Sequence, residues 1–151
     1  MDSPFVEIIK HTDISPRNIA EPLDELLGKL SPDERSLFEK ECIGNAMLAI
    51  FRVLRFINGA DQQGILPEDR LNALKGLHTA DRCVEGAAAC RGAPYKVSCN
   101  ALDAVYHAAL ADGYAHALSS EKCQEKASLA LFEEREFQYK LVNELKSGGA
   151  G

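Results

Sequence analysis

Tryptophan is absent from this sequence and only 7% of its residues are aromatic. No run approaches the ~18 consecutive apolar residues of a membrane span. The opening stretch, MDSPFVEIIKHTDISP, carries acids early and has no long apolar segment, which argues against a secretory or mitochondrial leader. Cytoplasm is the expected location, with no membrane partner. Basic charge is also in short supply. With 17 Lys and Arg against 23 Asp and Glu, the net charge is −6 and the pI near 5.2, so attraction to a phosphate backbone is not expected and nucleic acid is not an expected partner.

The motifs that announce chemistry are missing too. There is no P-loop, no strand followed by G-x-G-x-x-G, no H-E-x-x-H, no E-x-x-H pair and no nucleophile elbow. No cofactor, metal or catalytic residue is therefore expected. The five cysteines, Cys42, Cys83, Cys90, Cys99 and Cys123, are odd in number and contain no C-x-x-C, which is no disulfide framework. They read as reduced, mostly buried thiols.

What the chain does have is helical punctuation. Its 151 residues, 46% hydrophobic and 26% charged, suit one globular domain, expected over residues 1–146 with a flexible tail at 147–151. Ser31, Pro32 and Glu34 combine an N-cap serine, a first-turn proline and a capping-box glutamate. Pro67 and Pro94 open further helices, and Asn58–Gly59 and Gly92 close them. Helices are expected near 17–28, 32–58, 67–91, 94–118 and 120–145. The fold class is all-α: an antiparallel bundle of four long helices plus a short N-terminal one. Phe5, Val6, Ile8 and Ile9 read as an arm or short helix laid over it. Along the 32–58 helix Ile43, Met47, Ile50, Leu54 and Ile57 form the expected core stripe, widened by Phe38, Cys42, Ala49, Val53 and Phe56 so that most of the helix is expected to be buried, with Met47 as core filler. Pro94 to Ser119, rich in alanine, is the expected central helix, because small side chains let neighbours approach on more than one side.

Within that helix Asp103 precedes His107, and Asp112 precedes His116, each by four residues, the spacing at which helical side chains meet. The two pairs are nine residues apart, about 900° of helix rotation, so they face opposite ways. Either pair would suit an alternative reading as a small metal- or ligand-dependent enzyme, although no spacing announces further ligands. His78, in the HTADR string, reads as structural.

The leading expectation is a protein-binding module for a basic protein partner, since acidic side chains steer such an encounter. Glu133, Glu134 and Glu136, in a segment that reads as a solvated face, are the candidate acidic contacts. Tyr95, Tyr106 and Tyr114 are candidate aromatic anchors. A homodimer burying the alanine-rich face is a third reading. From Ala80 to Leu118, through ADRCVEGAAACRG, Pro94 and the alanine-, histidine- and tyrosine-bearing helix, the chain resembles the small alanine-rich helical immunity proteins of bacterial polymorphic toxin systems. That resemblance spans about a quarter of the sequence and carries over no individual residue. It implies a cytosolic protein that neutralises one toxin domain by occluding its surface.

Overall fold

A computed structural model of the chain describes residues 21–59 and 64–149. They form five helices: α1 (Leu23–Gly28), α2 (Pro32–Ile57), α3 (Pro67–Ala89), α4 (Pro94–Ala115) and α5 (Ser120–Gly149). The fold is an all-α bundle of four long helices and one short one. Among the described residues no helix is long and apolar enough to cross a membrane. The N-terminal arm and residues 17–20 of the expected first helix lie outside the described residues.

The punctuation acts as the local chemistry demands. Ser31 Oγ accepts from the Glu34 N–H at 3.1 Å while the Ser31 N–H donates to Glu34 Oε1 at 2.7 Å, so two otherwise orphaned donors are satisfied at the start of α2. Pro67 and Pro94 stand in the first turns of α3 and α4, and the Lys122 N–H donates to Ser119 Oγ at 3.2 Å where α5 begins. Gly92, at φ 102°, turns the chain between α3 and α4 in the left-handed region. Its N–H is held by Glu39 Oε2 of α2 at 2.8 Å. That carboxylate is 4% exposed, so one side chain of α2 fastens the neighbouring turn.

α4 stops at Ala115, earlier than the expected Leu118. Ala117 takes φ 58°, and the Leu118 N–H folds back to the Gly113 carbonyl at 3.0 Å, a left-handed helix stop made with alanine where glycine is the usual signal. α5 runs to Gly149, beyond the expected 145.

α4 is the axis of the bundle and packs against each of the other four helices. The reason lies in two interleaved repeats. Ala73, Leu77, Ala80, Val84 and Ala87 on α3, and Val97, Ala101, Ala104, Ala108, Ala111 and Ala115 on α4, alternate steps of four and three and are all buried. Seams of this period keep the same faces together along the helices. Small residues bring the axes close: a Cβ on Gly76 of α3 would fall 3.0 Å from Ala111 Cβ. The alanine-rich seam is therefore spent on contacts inside the chain. Leu23, Leu26, Leu27 and Leu30 close one end of the core with Phe38, Val97 and Val142. Val53 and Ile57 close the other with Ala73, Leu77, Ala111 and Ala115.

Candidate functional site

α5 carries an unusual burial pattern. Its inward stripe begins with Cys123, Ala127 and Leu131, then continues through Glu134, Arg135 and Gln138 before returning to Val142, all buried. The expectation that Glu133 to Glu136 form one solvated face therefore fails for its middle two members. Steps of three and four from Leu131 lead straight to 134, 135 and 138, and the period that sets the apolar stripe carries the polar residues inward with it. Glu133 and Glu136 remain exposed.

The buried polar groups hydrogen-bond one another across three helices. Glu134 Oε1 accepts from Asn45 Nδ2 of α2 at 2.6 Å, and Oε2 accepts from Gln138 Nε2 at 3.3 Å. Gln138 Nε2 also donates to the Ser98 carbonyl of α4 at 3.1 Å, and Gln138 Oε1 accepts from Arg135 Nη1 at 2.8 Å. The Arg135 guanidinium lies 5.7 Å from the centre of the Tyr95 ring, within cation–π range. Such a network is costly to bury unless its members are paired. Desolvation nevertheless dominates at Glu134, lifting its pKa from 4.5 to about 7 against the lowering effects of Asn45, Gln138 and Arg135. Burial, together with the nearby Glu134 charge, also pushes the Cys42 thiol well above its ordinary value.

Glu134, 3% exposed, is among the lining residues of a cleft of about 440 Å³ between α2, α4 and α5 that is open to solvent. Ala49, Val53, Ala108 and Ala130 are among its apolar lining residues, and Arg52, Asp112, Lys126 and Glu133 among its polar ones. An open cleft of mixed lining with convergent polar groups and one perturbed acid has features of a binding site.

The other sequence candidates scatter. Asp112 lines the cleft and ties α4 to α5 through Lys126 Nζ at 3.0 Å. His116 sits 3.4 Å from Asp112 Oδ1, its Nδ1 lies 2.8 Å from the Asp112 carbonyl oxygen, and its ring stacks on Phe56 at 4.1 Å. The second Asp/His pair is thus formed at the cleft's edge. Asp103 and His107 are half-buried farther along α4, with the His107 ring edge-on to Tyr106 at 5.3 Å. Tyr106 is fully buried against Leu102, Ala127 and Leu131. Tyr114 is half-buried against the Val53 and Ile57 end of the core, and Tyr95 packs against the main core. Among the described residues no group of three or more His, Cys, Asp or Glu side chains could hold a metal ion. Asn45, Arg52 and Lys126 were not legible as site residues, because each stands alone in the sequence and only packing brings them together.

Comparison of the chain with protein-family models, with curated proteins and with solved structures finds no match.

Proposed function

We propose that the chain is a protein-binding module for a basic partner, acting in the manner of an inhibitor that covers the surface of a toxin domain. The observation that carries the reading is Glu134, a desolvated acid among the residues that line an open cleft of mixed polar and apolar character. A lysine or arginine of the partner would lay its methylenes along Ala49, Val53, Ala108 and Ala130 and bring its cation to Glu134. Asn45 and Gln138 already hold the carboxylate in place, which lowers the ordering cost of binding. Exposed Glu133 and Glu136 serve the approach, where charge acts mainly on the rate of encounter.

Because Glu134 is protonated below about pH 7, binding a cation there releases a proton and strengthens as pH rises through that value. Titration with butylguanidinium, followed by NMR shifts of the Ala108, Ala130 and Leu129 methyl groups, measures this directly. Saturable shifts are expected at pH 8, weaker binding at pH 6, and loss of binding in Glu134→Gln. Equal responses in the two proteins would refute the cleft as a cation site. The rival enzyme reading draws on the 3.4 Å contact of Asp112 with His116; a turnover abolished by His116→Ala in a folded protein would favour it.

A further inference from the structure

On the outer side of α2, Leu37, Glu41, Gly44, Leu48, Phe51 and Arg55 follow one another at steps of four, three, four, three and four. That spacing keeps one line of side chains turned toward a neighbouring helix, yet the bundle does not use it. Leu37, Leu48 and Phe51 are 48%, 51% and 50% exposed. Glu41 and Arg55 are exposed as well, and a Cβ built on Gly44 meets nothing within 4 Å. Met47, expected in the core, is 40% exposed beside this line. Helix α2 therefore presents two faces: one faces the core through Phe38, Cys42, Ala46 and Val53, and the other has no partner among the described helices.

The order of chemistry along the line says what fits it. Glu41 and Arg55 stand seven residues to either side of Leu48, and Gly44 and Phe51 stand four and three residues away. Turned end for end against itself, the line sets acid against arginine, the bulk of Phe51 against the space at Gly44, and Leu48 against Leu48. A parallel pairing would set Glu41 against Glu41 and Arg55 against Arg55, which like charge disfavours. We propose that α2 is the seam of a two-fold, antiparallel homodimer, with Leu48 on the axis, Phe51 packed over Gly44 of the second copy, and Glu41 paired with its Arg55. The contact is isologous, so a single self-complementary stripe suffices to close it. Leu37 to Arg55 covers about 27 Å of helix, a small interface whose dissociation constant falls in the micromolar range. The cleft lies on the Asn45, Ala49 and Val53 side of α2, so this inference does not depend on the cation-site reading.

Sedimentation velocity of the full chain tests it, run from about 1 to about 500 µM to bracket micromolar dissociation. The wild type is expected to pass from monomer to dimer across this range. Glu41→Arg and Arg55→Glu each place like charges at both ends of the seam and should weaken the dimer about tenfold. The double variant, Glu41→Arg with Arg55→Glu, restores both ion pairs and should return to wild-type affinity, a rescue that parallel pairing cannot give. Leu48→Glu should abolish the dimer, with helicity by circular dichroism unchanged in all four proteins. A chain monomeric throughout the range, or a double variant no tighter than the singles, overturns the proposal. So do cross-links that place residues 1–20 of the same chain on Leu48 and Phe51.

Discussion

Replacing Glu134 by glutamine converts its burial into a measurable pH dependence. The folded protein holds this carboxyl at about 7 against 4.5 in the unconstrained chain. At 1.36 kcal/mol per tenfold change, ionising it in place costs about 3 kcal/mol. The sign follows from proton counting: between these two values the folded state binds more protons than the unfolded one, so stability falls as pH rises. The contribution is fully present below pH 4.5 and is lost once pH passes about 7. Glutamine has the shape of the protonated acid and cannot ionise. Its amino group would face Gln138 Nε2, now 3.3 Å from Oε2, losing a bond worth about 1 kcal/mol. At pH 8 the variant should be more stable than wild type by about 2 kcal/mol, or roughly 4–8 °C in Tm for a chain of this size. At pH 4.5 the advantage should vanish or reverse. The assay is urea unfolding of both proteins from pH 4.5 to 8.5, read as the difference between them, so that the other carboxylates cancel. A difference that stays flat across that range would refute the assignment of a desolvated acid to position 134.

Three further outcomes are expected. Gly113→Ala places a Cβ 2.6 Å from Cys123 Sγ and 3.1 Å from its Cα, so trimming the thiol cannot relieve it; a loss of about 1–3 kcal/mol in chemical denaturation is expected. Ala117→Gly removes the cost of the left-handed turn at φ 58° and should stabilise by about 1 kcal/mol, measured as a rise in Tm. Thiol titration of the native protein at pH 8 should leave Cys42 and Cys123 unreacted, since both are fully buried and burial raises both pKa values; all five react once the chain is unfolded.

The fold was legible because its signals are local. Ser31, Pro32, Pro67, Pro94 and Ser119 each act through backbone hydrogen bonding within a turn, so the sequence alone carries them. The α4 stop escaped because an alanine occupies the left-handed position. The site is less legible, since polarity points to exposure at Glu134 and Arg135 whereas the helical period assigns them inward. The reverse error fell on α2. A helix apolar on two sides offers more than one stripe, and Met47, with its step to Ile50, joins the core line only on paper. Tyr106 shows the same limit: one aromatic in an alanine-rich helix does not say whether it faces a neighbour or solvent.

The position of α4 in the chain has a consequence for synthesis. Every other described helix leans on this one, yet three of them precede it in the chain. α1, α2 and α3 are complete at Ala89, and the surface they share is complete only at Ala115. At ribosomal speeds of 5–20 residues per second that interval is about 1–5 s. During it the leucines of α1 and the alanine seam of α3 lack the α4 surface that covers them in the folded protein, so the nascent chain stays adhesive until α4 emerges. Slow codons ahead of Pro94 would lengthen this exposure, and slow codons after Ala115 would give α4 time to dock before α5 arrives.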